Sequence, residues 1–208
     1  MKIAIKLQKT TRLLALVLSM VVGLSVSAEA RNFSVVVIDP GHGGHDLGAS
    51  NGKVYEKHLA LDTALRLEYY LRSKGIRTRL TRRSDVFISL PGRASVGNRY
   101  SRSIFVSIHF NDSWKHDPHG LEVHYYSKEG KKLASQVQRR LMTKINTIDR
   151  GVKRSRFYVL RHAKHPAILV ECGFVSNHKE RSRMKKAWFR QSVAEAVGEG
   201  ILKYKHQW

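Results

Sequence analysis

A chain of 208 residues with a single cysteine is long enough for one domain with a buried core, short for two, and unable to form an intramolecular disulfide. With 38 Lys and Arg against 16 Asp and Glu, its formal charge of +22 points to a polyanionic neighbour such as a nucleic acid, an anionic cell wall or a membrane surface, and says nothing about fold. An exported chain of this kind must hold itself together by packing or by a metal.

In chain order, Lys2, Lys6, Lys9 and Arg12 precede an apolar run of 14 residues, Leu13 to Val26, and a small-x-small site at Ala28-Glu29-Ala30. This is the pattern of a secretory signal peptide over residues 1–30, cut after Ala30. An uncleaved membrane anchor is the alternative, disfavoured because the run is short for a span. No cysteine directly follows the run to suggest a lipid anchor. Setting aside the four basic residues and Glu29 leaves 34 basic and 15 acidic side chains over residues 31–208, a net of +19. The expected product is exported, to a periplasm, a cell wall or the extracellular space, with no stable membrane span after cleavage.

Phe33 to Ile38 is nearly all apolar and predicts a strand covered on both faces, stopped by Asp39-Pro40-Gly41. Lys57 to Lys74 carries a helical face at Ala60, Ala64, Leu67 and Leu71, with Gly75 as its stop. Ile76 to Thr81 reads as a short, mostly polar strand near an edge, and Ser89 to Ser101 as a weaker helix. Ile104 to Ile108 is the second apolar strand. Gly120 to Tyr126 alternates, predicting a strand with one wetter face. Leu133, Val137, Leu141 and Ile145 mark a helix, Phe157 to Leu160 a short strand, and Ala167 to Val170 the third apolar strand. A stripe from Phe189 to Tyr204 marks the last helix. Strands alternating with helices predict one α/β domain, with no repeat and no linker.

The three apolar strands are followed by His42, His109 and Glu171. In open α/β sheets chemistry gathers beyond the carboxyl ends of strands, so three parallel strands would bring these residues to one rim. Glycines at 41, 43 and 44 bracket His42 and leave space above that rim. Glu56 precedes the first helix, where the helix dipole favours a carboxylate. Two imidazoles and a carboxylate make a His2Glu set, the composition of a catalytic zinc site with an open position. The intervals, 14 and 53 residues, are too long for spacing alone to identify it.

Taken singly, His42 and His109 read as turn or strand-end histidines and Glu56 as a plain helix-start carboxylate. Glu171 is harder to dismiss, because a carboxylate ending an apolar strand is costly without a partner or a task. His45 could ligate in place of His42. His116, His119 and His124 read as surface or loop histidines. Cys172 is a thiolate candidate, but a small buried apolar side chain is the ordinary reading.

With these residues assembled, the chain resembles the zinc-dependent N-acetylmuramoyl-L-alanine amidases of the Amidase_3 type. The matching segments run in order over residues 31–208: IDPGHGGHDLGA (38–49), EKHLALDTALRL (56–67), TRRSDVFISLPGRASVGNR (81–99), FVSIHFN (105–111), GLEVHYYS (120–127), DRGVK (149–153) and PAILVECGFVSN (166–177). The resemblance implies a catalytic domain with a mostly parallel six-stranded sheet flanked by helices. It implies one zinc per chain on His42, Glu56 and His109, and Glu171 as the catalytic glutamate. The implied substrate is peptidoglycan, cut between N-acetylmuramic acid and L-alanine of the stem peptide. Leu47 and Cys172 depart from the usual motif without removing a functional atom. Some relatives carry a long insertion with an inhibitory helix after the histidine strand. Here only ten residues, Phe110 to His119, separate His109 from Gly120, so the site is expected to be open.

Asp39, Asp46 and Arg93 are expected to hold loops and ligand orientation, and Asn111 is a candidate helper for an oxyanion. The basic clusters Arg181, Arg183, Lys185, Lys186 and Lys203, Lys205 read as solvated faces, or as charge that retains the protein on an anionic wall. Three other classes compete at this point. One is a zinc peptidase acting within the stem peptide, another a catalytically inactive wall-binding module. The third, a nucleic-acid binder, is not expected, since no recognised module or aromatic stacking pattern accompanies the charge.

Overall fold

The structure, a computed structural model, describes residues 33–205. The expected signal peptide lies outside the described residues. The strands are β1 (Val35–Pro40), β2 (Ser50–Asn51), β3 (Val54–Tyr55), β4 (Arg77–Leu80), β5 (Ser103–Asn111), β6 (Leu121–Tyr125), β7 (Asp149–Arg154) and β8 (Ala167–Phe174). The helices are α1 (Glu56–Ser73), α2 (Leu90–Asn98), α3 (Lys128–Lys144), α4 (Tyr158–Arg161), α5 (His178–Met184) and α6 (Ala187–Lys205).

Six strands form one sheet in the order β4-β1-β5-β8-β6-β7, and β2 pairs with β3 in a separate ribbon. The β1–β4, β1–β5, β5–β8 and β6–β7 pairs are parallel, and only β6–β8 is antiparallel. The mostly parallel six-stranded sheet is therefore present. β4, mostly polar, is an edge strand as its composition predicts.

Alternation along the central strands divides the core. Val36, Ile38, Ile104, Val106, Ile168 and Val170 face one side, where α1, α3 and α6 pack with Leu67, Val137 and Val197. Val35, Val37, Phe105 and Leu169 face the other, thinner side, covered by Val159 and Leu160 of α4 and Val96 of α2. Burial on both faces is why these strands read as unbroken apolar runs. α1 ends where Gly75 takes φ 73° and its N–H bonds the Arg72 carbonyl at 3.0 Å, a left-handed stop open to glycine. None of the described helices is long and apolar enough to cross a membrane.

Three expectations are corrected. β5 and β8 do not stop before His109 and Glu171 but run through them, so those side chains are fixed by sheet hydrogen bonds. Phe157–Leu160 is not a strand; Tyr158–Arg161 forms one helical turn, and four residues carry too little periodicity to separate the two. The polar side of β6 is not wet: Glu122 and His124 are 4% and 7% exposed. Here β7 closes the flank, and its charged sequence DRGVKR supplies partners for those buried groups.

Candidate metal centre

At the end of β1 the chain turns sharply. His42 takes φ 57°, a left-handed conformation uncommon for a residue with a side chain. Two buried arginines hold that turn. Arg93 donates to Asp39 Oδ1 at 2.9 Å, to the Pro40 carbonyl at 2.6 Å and to the His42 carbonyl at 2.6 Å. Arg82 donates to the carbonyls of Pro40, Gly41 and Lys57 at 3.1, 2.6 and 2.9 Å. Asp39 is itself fixed by Thr81 and Ser107 hydroxyls at 2.6 and 2.7 Å. The strain at His42 is thus over-determined by its surroundings.

His42, Glu56 and His109 converge, one ligating atom from each lying within 4.8 Å of the others. His42 Nε2 is 3.1 Å from Glu56 Oε2, and His109 Nδ1 is 2.9 Å from Glu56 Oε1. The two rings meet edge to face with centroids 4.9 Å apart. Backbone N–H groups of Ala49 and Phe110 donate to the same carboxylate at 2.8 and 2.9 Å. Asp46 Oδ2 lies 2.9 Å from His42 Nδ1 and fixes that ring.

Two glycines make room. A Cβ on Gly41 would sit 2.4 Å from His109 Cε1, and one on Gly48, at φ 64°, would sit 2.5 Å from Glu56 Oε2. No side chain fits where the imidazoles and carboxylate must close.

The electrostatics favour a charged carboxylate between the rings. Burial opposes ionisation of Glu56, but hydrogen bonds from His109 and His42 hold its carboxyl well below the usual carboxylate range. Burial works against protonation of His42, yet Glu56 and Asp46 outweigh it and raise its pKa. A divalent cation would replace that imidazole proton with stronger positive charge.

Glu171 neighbours this cluster through the sheet, as the register partner of His109 on β5 and of Glu122 on β6. Its Oε2 is buried and has no hydrogen-bond partner. Burial first, then the charges of Glu56 and Glu122, push its carboxyl well above the usual range. A cavity of about 270 Å³ joins His42, His109 and Glu171 to the exposed side chains of Phe87, Leu90 and Phe157. The His42 and His109 side chains are 23% and 19% exposed, and no described segment plugs the rim. A larger open groove of about 1240 Å³ lies elsewhere, beside Ser176 and Arg181, and is lined by none of these four residues.

The other candidates sort plainly. His45 is exposed and packs at a tilt against Phe87 with centroids 4.2 Å apart, outside the cluster. His116 and His119 are exposed, as expected. His124, expected in a loop or on the surface, is instead buried on β6, with its ring nitrogens 3.0 Å from Glu122 Oε1 and 2.7 Å from Ser155 Oγ. Cys172 is a core side chain on the opposite sheet face from Leu169, and burial pushes its thiol up, as the ordinary reading of a small buried side chain expects. Asn111 donates to Glu122 Oε1 at 3.3 Å. Arg82 and Glu122 escaped notice in the sequence, though each lies inside a matched segment.

Comparison with known proteins is consistent along the chain. The family described as N-acetylmuramoyl-L-alanine amidase matches residues 36–203. The N-acetylmuramoyl-L-alanine amidase LytC of Bacillus subtilis is 36% identical over 173 residues, covering 81% of this chain and 35% of LytC, so the chain spans about a third of that relative's length. The protein YqiI of the same organism is 32% identical, over 87% of this chain and 89% of its own length. Among solved structures, an N-acetylmuramoyl-L-alanine amidase of Clostridium difficile 630 superposes with TM-score 0.80 and 36% identity, over 83% of this chain and 97% of that one. The amidase AmiC2 of Nostoc punctiforme superposes with TM-score 0.80 and 39% identity over the same shares. A match that begins within β1 and ends near the close of α6, with the same fold in both solved relatives, shows that this chain belongs to the N-acetylmuramoyl-L-alanine amidase family of the Amidase_3 type.

Proposed function

We propose that the chain hydrolyses peptidoglycan at the amide between the lactyl group of N-acetylmuramic acid and L-alanine of the stem peptide. His42, Glu56 and His109 would hold one zinc ion, and Glu171 would move the proton. The observation that carries this reading is the buried, unpartnered Oε2 of Glu171 in the cavity that His42 and His109 line. A buried polar atom without a partner is costly, and an incoming water or leaving amine would satisfy it. The donor set fits zinc: two imidazoles and a carboxylate within 4.8 Å, with His42 oriented by Asp46.

When bound, zinc polarises the scissile carbonyl and lowers the pKa of a water from 15.7 towards about 7. Glu171 takes the water proton at a carboxylate oxygen and returns it to the leaving nitrogen. Its raised proton affinity in the metal-free protein suits the second half of that task, and a divalent charge nearby would oppose that shift, as the first half requires. Phe87, Leu90 and Phe157 give the cavity an apolar wall beside the reacting bond. Arg93 and Arg82 carry no chemistry; they keep the His42 turn in place.

The relatives' names include cell-wall amidases, and the reading places this chain outside the cytoplasm, on a cell wall or in a periplasm. Charge retains it there, carried by the exposed Lys185, Lys186 and Lys203. Arg181 and Arg183 contribute less, because they donate to the Val175 and Asn146 carbonyls at 2.7 and 2.9 Å. Mass spectrometry of products from purified peptidoglycan, with and without chelator, tests the reaction. Free stem peptides beginning at L-alanine, lost on chelation, support it; cleavage only inside the stem peptide, or no cleavage, contradicts it.

A further inference from the structure

Across the sheet from Glu171, on the side away from the zinc ligands, stands a second constellation built around Glu122. The two glutamates are register partners on antiparallel β6 and β8, so their side chains leave the same sheet face about 5 Å apart. Glu122 is only 4% exposed. Its Oε2 accepts from Arg150 Nε at 2.8 Å and from Lys153 Nζ at 2.5 Å. Its Oε1 takes His124 Nε2 at 3.0 Å and Asn111 Nδ2 at 3.3 Å. One buried negative charge thus meets two permanent cations, and the group carries surplus positive charge.

The two cations differ from buried ion-pair partners in their exposure. The Arg150 and Lys153 side chains are 32% and 41% exposed. Arg150 is pinned in place by stacking its guanidinium on Phe174, 4.9 Å from the ring centroid. It spends Nε on Glu122 and reaches the His119 carbonyl with Nη1 at 3.5 Å, leaving Nη2 for another acceptor. Lys153 spends one of its three ammonium donors on Glu122. Both cations are held without losing the capacity to bind, which lowers the entropy lost on capture of an anion.

We propose that Arg150 and Lys153 form an anion subsite of the candidate active site, set by Glu122, that receives the free carboxylate of the second, acidic residue of the stem peptide. This rests on the reading of the chain as a muramoyl-L-alanine amidase. One strand spacing plus one hydrogen bond puts the cations about 7–8 Å from Glu171. Two extended residues of a peptide span about 7 Å. A peptide that presents its first amide to Glu171 and runs over β6 therefore brings its second residue to β7. A carboxylate there meets an arginine fork and an ammonium, the donors suited to it. Where that carboxylate is amidated, the charge is lost and the subsite has less to hold.

The test uses muramyl peptides with the second residue as free acid or as amide, cut by the wild-type chain and by Lys153→Met and Arg150→Met. Wild type is expected to favour the acid by about tenfold in kcat/KM, chiefly through KM. In each variant that ratio falls towards one. A variant that is merely less well folded lowers both rates and leaves the ratio at its wild-type value, which would overturn the assignment, as would a wild-type ratio of one. Equilibrium binding of the free acid and amide stem peptides to zinc-loaded protein separates this proposal from the reaction. Tighter binding of the acid, abolished in Lys153→Met, upholds the subsite even if no muramoyl bond is cut; equal binding of the two peptides rejects it even if the bond is cut.

Discussion

Glu122 and Glu171 are register partners across β6 and β8, and the fold drives their carboxyl groups in opposite directions. For Glu122 burial opposes charge, but His124, Lys153 and Arg150 together hold its pKa at about 2. For Glu171 burial and the charges of Glu56 and Glu122 act in the same sense, upward. Two adjacent carboxyls of one sheet face are thereby pushed apart, one down and one up, the division that the acid–base role proposed for Glu171 would use.

The Glu122 anion should be visible in the acid limb of stability. Its contribution is fully present above the ordinary pKa of 4.5 and is lost as pH falls through about 2. Glu122→Gln should destabilise the protein by about 1–3 kcal/mol at pH 7, allowing for the exposure of its cationic partners. Urea unfolding of the two proteins should converge between pH 4.5 and 2. A constant difference across that window would show that the pKa is not depressed.

Glu171 behaves oppositely. Its raised pKa means that the metal-free fold loses stability as pH rises from about 4.5 towards the folded value, because the unfolded chain ionises first. Glu171→Gln should therefore stabilise the metal-free protein by about 1–3 kcal/mol at pH 8, with little effect at pH 4. The same change should leave zinc bound and lower turnover by about two to four orders of magnitude. Thermal unfolding with chelator and a turnover assay on the loaded protein check the two halves separately.

Much of this division was legible along the chain, and the part that was not has a physical cause. The runs at Val35–Ile38, Ile104–Ile108 and Ala167–Val170 are apolar because both sheet faces are covered, and a histidine or glutamate closing such a run stands out. Glu122 and His124 gave no such signal. Alternation in GLEVHYY reads as a half-wet strand, and nothing local shows that β7, some thirty residues later, dries that face with its own charges. β7 itself carries no apolar run to mark it, because its sequence is largely polar and its strand conformation rests on pairing with β6. Arg82 looks like one basic residue in a basic chain until the turn it supports is seen.

The two close glycines should be intolerant for different reasons. In Gly41→Ala the added methyl meets the His109 ring at 2.4–2.7 Å, so that imidazole must leave the cluster. In Gly48→Ala it meets Glu56 and His42, and the left-handed φ of 64° adds strain. Each variant should fold and lose zinc affinity by at least about tenfold, comparable to removal of a supporting contact. Wild-type zinc affinity in either would show that the ligands close elsewhere.

Asp46→Asn keeps the size of the group that fixes His42 Nδ1 but removes its charge. Zinc affinity should fall about 10–100-fold with stability little changed. Arg93→Met should do the reverse to stability: Asp39, 1% exposed, loses its ion-pair partner, at about 3–5 kcal/mol. Metal titration and denaturant unfolding of both variants distinguish a group that orients a ligand from one that holds the turn.

The central claim is that three residues far apart along the chain close around one zinc ion. Equilibrium zinc binding to purified, folded protein, read by elemental analysis after dialysis, measures it directly. Wild type should hold one zinc per chain, and His42→Ala, Glu56→Ala and His109→Ala should each hold markedly less while remaining folded. A folded wild type that holds no zinc, or variants that hold it as tightly as wild type, would contradict the account.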